Sequence, residues 1–169
     1  MTVHVMTPEH PVLACAAEMS ASLDRVAGVD PTYMTTSAKA TALTELSRVV
    51  NRAQALLMRV LANADDVALD HGARSAETWL AHEARADVGP TLAVGRLAAA
   101  LETRWRRLGE ALAEGSVNEA QARVIARALD ELPDDLDAEL VAKAETYLVV
   151  EAAHFPRSSC GCSDVGSSR

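Results

Sequence analysis

Cys160-Gly161-Cys162 is the one place in this chain where two thiols stand close enough in sequence to share a metal ion or a redox step. A structural zinc site needs four ligands, usually supplied as two spaced pairs. Cys15 is the third and last cysteine, and His4, His10, His71, His82 and His154 keep no ligand spacing to one another or to a Cys. Neither a metal set nor a disulfide framework can be assembled from these residues. Asp65-Asp66 and Asp134-Asp135 are paired carboxylates of the kind that does acid–base or metal work. Consecutive side chains on a helix point apart, however, so each pair reads as a helix end or a solvated face. There is no phosphate-cradling glycine loop and no nucleophile elbow. The residues therefore point to no catalytic group, no metal, no cofactor and no small-molecule substrate.

Arginine is the remaining chemistry. Residues 85–127 hold seven Arg against five acids, a net of +2, whereas residues 128–151 hold eight acids against Lys143, a net of −7. Arg96, Arg104, Arg106, Arg107, Arg123 and Arg127 are candidate contacts to nucleic-acid phosphates. The short segment around Trp79, the turn through Arg85–Pro90 and the segment after it have the outline of a helix-turn-helix. A plainer reading stands beside this one. Glu119 precedes Arg123 by four residues and Arg127 precedes Glu131 by four, both good spacings for ion pairs within a helix.

These side chains must be held by helices. The chain has 169 residues, 49% hydrophobic, 24% charged and only 3% aromatic, so its core is built from Ala, Leu and Val. That composition suits close helix packing in a single all-α domain of about five or six helices. A net charge of −8 argues against broad, non-specific nucleic-acid binding by the whole molecule. No apolar run approaches the ~20 residues of a membrane span, and the VLAC of residues 12–15 lacks the basic and apolar flanks of a signal peptide. With few cysteines and no membrane segment, a cytoplasmic protein is the expectation.

Residues 1–36 read as an N-terminal segment with one short helix, opened by Pro11, ended by Gly28 and followed by an Asp30-Pro31 break. A long helix starts near Ser37, in which Leu43, Leu46, Val50, Ala53, Leu57, Val60 and Ala64 form a heptad seam. Leu43, Leu46, Val50, Leu57 and Val60 are the candidate interaction residues. The expected partner is another helix of the same domain, with a homodimer as the alternative. His71-Gly72 closes this segment, and Ser75 caps the short helix that carries Trp79 and Leu80. One helix then runs from Gly89-Pro90 to Gly115 with Leu97, Leu101, Trp105, Leu108 and Leu112 on a single stripe. Ser116 to Glu119 reads as a capping box opening a helix that buries Val117, Val124, Ile125, Ala128 and Leu132. After Pro133 a last helix runs from about Leu136 to Phe155, with Asp134, Asp135 and Asp137 near its positive end.

Two stretches carry a further likeness: GARSAETWLAHEARADVGPTLAVGRLAAALE at 72–102, and ALAEGSVNEAQARVIARALDELPDDLDAELVAKAETYLVVEAAHF at 111–155. Together with the preceding helix they resemble the actinobacterial 13E12 repeat family, whose helical region is the domain of unknown function 222. The resemblance covers 37–155 and implies a helical module that usually precedes an HNH endonuclease domain. The catalytic His-His pair, Asn and zinc cysteines of that nuclease domain have no counterpart in this chain, so the resemblance implies no enzyme here. In the family the last helix continues beyond a His-Phe into a basic, Leu-rich segment. FPRSSCGCSDVGSSR stands there instead. GC-rich codons for this stretch, read two bases on, spell Ala-Gln-Leu-Leu-Arg-Leu-Leu-Gly-Arg-Arg, so 156–169 reads as a disordered, out-of-frame tail. Three expectations result: a nucleic-acid-associated helical module that binds DNA weakly, a protein-interaction or dimerisation domain, or a remnant without a role.

Overall fold

The computed structural model describes residues 10–133 and 135–154, and every regular element among them is helical. The all-α class follows directly from the composition. The expectations placed on His4, Asp134, Phe155, Cys160, Cys162 and the tail lie outside the described residues.

The chain divides into two compact units, Met1–Ala42 and Leu43–Arg169. In the first, α1 (Pro11–Asp24) starts with Pro at its first position and with the His10 ring accepting the Val12 amide at 3.2 Å. None of its residues is buried. The Asp30-Pro31 break becomes a single 3₁₀ turn, Pro31–Tyr33, capped by Asp30 Oδ1, which accepts the Thr32 amide at 2.8 Å. Hydrogen bonds from the Thr32 side chain and amide hold the Asp30 carboxyl below its ordinary 3.8. The helix α2 (Thr36–Leu61) begins in this unit, with Thr35 Oγ1 accepting the Ala38 amide at 3.2 Å.

In the second unit α2 continues to Leu61 and is followed by α3 (Asp65–Asp70), α4 (Ala76–Glu83), α5 (Val88–Thr103), α6 (Arg106–Glu114), α7 (Glu119–Asp130) and α8 (Ala138–His154). The core is centred on α5, α6, α7 and the turn between the last two, where Leu108, Leu112 and Val117 are fully buried. Ala55 and Met58 of α2 close it on one side, and Val141, Ala144 and Leu148 of α8 pack against it. Alanine recurs at the contacts (Ala98, Ala111, Ala122, Ala126), which lets helix backbones approach closely.

Seven helices from Thr36 to His154 replace the five or six expected, for two reasons. The long helix stops at Leu61, and a separate turn of helix, α3, carries the chain to His71-Gly72. The single helix expected from Gly89-Pro90 to Gly115 is also broken at Arg104-Trp105, where Trp105 takes φ −109° and ψ 61°. A carboxylate remote in sequence holds the break: Asp130 at the end of α7 accepts the Trp105 indole N–H at 3.0 Å and pairs with Arg104 at 2.9 Å. The apolar stripe survives the bend, because Leu97, Leu101, Trp105, Leu108 and Leu112 are all buried.

The start of α7 also differs from its sequence reading. Gly115, at φ +78°, ends α6, and the Ser116 amide turns back to the Ala111 carbonyl at 3.0 Å. Ser116 is thereby part of the turn. Asn118 is the cap, and it exchanges hydrogen bonds with Gln121 at 2.9 and 3.0 Å. The buried stripe of α7 is Ala122, Ile125, Ala126 and Leu129, so Val124 and Ala128 face outward. Val117 is buried as expected, but from the turn and not from the helix. The Ser75 cap of α4 does form, with Ser75 Oγ accepting the Thr78 amide at 3.3 Å.

Candidate functional site

The six candidate arginines are all on α5, α6, α7 or the break between them, and they do not share one surface. Arg96, Arg104, Arg123 and Arg127 line an open groove of about 610 Å³ between α5 and α7, together with Asp130 and Glu131. Arg106 lines a different groove, between α2, α5 and α6, with Arg59, Glu102 and Glu110. Arg107 reaches the Thr146 hydroxyl on α8.

Within the α5–α7 groove the charges are largely paired. Arg123 meets Glu119 at 2.6 Å and Arg127 meets Glu131 at 2.9 Å, both at the i,i+4 spacing read from the sequence. Arg104 is held by Asp130 and lies 5.8 Å from the centroid of the Trp105 ring, a cation–π distance. The Arg96 side chain is exposed and makes no hydrogen bond or ion pair among the described residues. A phosphate entering this groove would have to compete with three carboxylates, and such surface pairs are each worth only about 0–1 kcal/mol. The groove can be opened to an anion, but it is not set out for one.

The helix-turn-helix outline has its own geometry. The turn between α4 and α5 passes through Arg85 at φ 52°, a left-handed conformation unusual for a non-glycine residue. The two helices meet closely at Gly95, where a Cβ would run into the Glu77 side chain. The His71 ring stacks on Trp79 with centroids 5.2 Å apart, bracing the approach to α4.

The heptad seam of α2 has the opposite character from the groove. Leu43, Leu46, Val50, Leu57 and Val60 are all exposed, from 72% at Leu43 to 45% at Val60. The core takes a different face of the same helix, Ala55, Met58 and Leu61. Among the described residues, the expected cover by another helix of the domain is therefore missing from these five side chains, whereas Ala53 of the same seam is half-buried and Ala64 at its end is buried with Leu61 and Ala76. The periodicity was real, yet two apolar faces that diverge around one helix cannot both meet one core.

Two kinds of residue escaped the sequence reading. Val49, 48% exposed, widens the open face of α2 but falls outside a strict heptad template. Its spacing of three from Leu46 was the available signal. Asp130 and Glu145 organise the α5–α6 region from 25 or more residues away, and nothing in their local sequence marks them. Glu145 of α8 is the one buried charged residue among the described residues, and its side-chain oxygen accepts the Leu108 amide at 3.0 Å. It thus caps α6, whose own cap position is occupied by Trp105.

Among the described residues no three His, Cys, Asp or Glu side chains converge on a metal position, and no helix is long and apolar enough to cross a membrane. Against known proteins, residues 37–160 match the model of a family described as "Domain of unknown function (DUF222)". No curated protein and no solved structure matches the chain.

Proposed function

The chain belongs to the DUF222 family, and on that premise we propose that it is a non-catalytic helical module whose work is to bind another protein through the open face of α2. The observation that carries this reading is the second apolar face of that helix. A helix of a water-exposed domain ordinarily has one apolar face and one polar face. This one has Ala55, Met58 and Leu61 in the core and Leu43, Leu46, Val50, Leu57 and Val60 outside it. Single exposed leucines need no explanation, but a row of them along three heptads is the pattern of a helix that expects a partner. In the 13E12 setting that the sequence resembles, such a module would accompany an HNH nuclease domain and contribute assembly and not chemistry. The test is photo-crosslinking with benzoyl-phenylalanine in place of Leu57, against the same group in place of exposed Val124 as control. The reading expects a protein adduct at position 57 and none at 124; equal or absent adducts at both positions would remove it.

A second reading is favoured by one observation, the convergence of Arg96, Arg104, Arg123 and Arg127 on the α5–α7 groove. In this reading the module touches nucleic-acid phosphates after its intrahelical ion pairs open. Binding to duplex DNA would then fall steeply with salt, and Arg96→Ala with Arg127→Ala would weaken it equally across DNA sequences. Absence of binding at low salt would leave the protein-contact reading alone.

A further inference from the structure

Nothing in the local sequence asks for the break between α5 and α6. Thr103, Arg104, Trp105, Arg106 and Arg107 include no glycine or proline, and all five are compatible with a helix interior. The apolar stripe also keeps its helical register through the break. On an uninterrupted wheel Leu97, Leu101, Trp105, Leu108 and Leu112 fall within about 80° of one another. The backbone departs from a continuous helix by a slip of one residue. The Ala100 carbonyl accepts both the Arg104 and the Trp105 amides, each at 2.9 Å.

What holds the break comes from α7 and α8. Asp130 clasps the Arg104 guanidinium and the Trp105 indole. Glu145 takes the Leu108 amide, which in a continuous helix would bond to the Arg104 carbonyl. The turn they hold is tight. A Cβ at Gly109 would stand 3.5 Å from Leu101 Cβ, whereas residues eight apart in a straight helix are separated by about 12 Å. Straightening therefore parts α6 from the α5 of its own chain. The core of Leu97, Ala98 and Leu101 against Leu108, Leu112 and Ile125 is then rebuilt only if a second copy supplies the missing half.

We propose that the Arg104–Trp105 break is the hinge of a domain exchange. In the exchanged form α5 and α6 join into one helix, and α6–α8 of each copy pack on α2–α5 of the other. That dimer reuses the core contacts of the monomer, so the two states differ chiefly at the hinge. There the straight form provides backbone acceptors for the Arg106 and Arg107 amides, which have none within α6. The closed form keeps the Asp130 and Glu145 contacts instead. These two carboxylates are positioning groups that hold the chain closed on itself, across a short hinge of the kind from which exchange begins. The exchange uses no residue of the open α2 face and stands apart from the protein-contact reading.

Refolding of the full chain at micromolar and at millimolar concentration, followed by size-exclusion chromatography with light scattering, tests this. The wild type should be monomeric after micromolar refolding, with a dimer fraction appearing at millimolar. Glu145→Ala should raise the dimerisation constant roughly tenfold or more, because the stranded Leu108 amide regains an acceptor when the hinge straightens. Asp130→Ala should act in the same direction, and it carries the test if Glu145→Ala fails to fold. Arg106→Pro separates the two states. Proline suits the first position of α6 and the non-helical Trp105 before it, but not the interior of a straight helix. It should suppress the dimer about a hundredfold or more while circular dichroism shows the monomer still folded. In the dimer fraction the Arg106 and Arg107 amides should exchange with solvent roughly tenfold or more slowly than in the monomer. A dimer in the alanine variants alone supports the proposal, since the carboxylates then hold the wild type closed. A chain that stays monomeric at millimolar concentration in the wild type and in both alanine variants overturns it, as does a dimer that neither alanine substitution increases. A dimer that tolerates Arg106→Pro or leaves those two amides unprotected also overturns it, and leaves the protein-contact reading standing.

Discussion

At φ +78° Gly115 sits in the left-handed region, and a Cβ there would stand 2.6 Å from Arg48 Cγ and 3.1 Å from the Arg48 carbonyl oxygen. Gly72 has a similar φ of +61° but nothing within 4 Å of the position its Cβ would take. The two glycines therefore separate backbone strain from close packing. Gly72→Ala should cost only the left-handed penalty, about 1–2 kcal/mol. Gly115→Ala should cost that and a further ~1–3 kcal/mol of overpacking, since the Arg48 carbonyl belongs to α2 and cannot move aside alone. Urea unfolding of the two variants gives the comparison, and equal losses would show that the Gly115 turn yields freely. Both glycines stood in the sequence as helix stops. That one of them is also pressed against α2 could not be read there, because the approach joins residues 48 and 115.

The helices show the same division between local and remote causes. Glu145 satisfies the third amide of α6 from α8, replacing the cap that Trp105 cannot supply. Glu145→Ala strands that amide in the core and should cost about 1–3 kcal/mol. Glu145→Gln keeps an acceptor and should lose only the charge–dipole part, roughly 0.3–1 kcal/mol. If alanine and glutamine prove equally mild in thermal unfolding, the carboxylate does not hold α6. Helix α2 supplies the complementary test, because its two faces should answer differently to substitution. Met58→Ala, at 2% exposure, removes core packing and should cost about 2–5 kcal/mol. Leu46→Ala, at 57% exposure, should change the stability of the monomer by no more than roughly 0.5 kcal/mol. A large loss at Leu46 in dilute solution would mean that the open face is covered within the chain. The heptad was legible, but which of two apolar faces enters the core is decided by α5 and α6.

Taken whole, the chain joins a unit without buried α1 residues to a unit that holds the entire described core. Stability should follow that division. Amides of α1 should exchange with solvent in the fast class, while those of α6 and α7 around Leu108, Leu112 and Leu129 should exchange only on global unfolding. Hydrogen exchange followed by mass spectrometry reads this directly, and protection of α1 equal to that of α7 would contradict it. The acidic balance belongs to this scale too. With a net charge of −8, the molecule as a whole repels a polyanion, so any DNA contact would depend on the local α5–α7 groove.

The sequence alone determined the helical class, because an Ala-, Leu- and Val-rich chain with almost no aromatic residues has helical propensity and helical period throughout. It determined the apolar stripe from Leu97 to Leu112, the Ser75 cap and the Glu119–Arg123 and Arg127–Glu131 pairs, since each joins residues within a few turns of one another. The tertiary structure decided the break at Trp105, the burial of Glu145, the gathering of four arginines into one groove and the exposure of the α2 seam. Each of these depends on a neighbour tens of residues away, and periodicity carries no information about such neighbours.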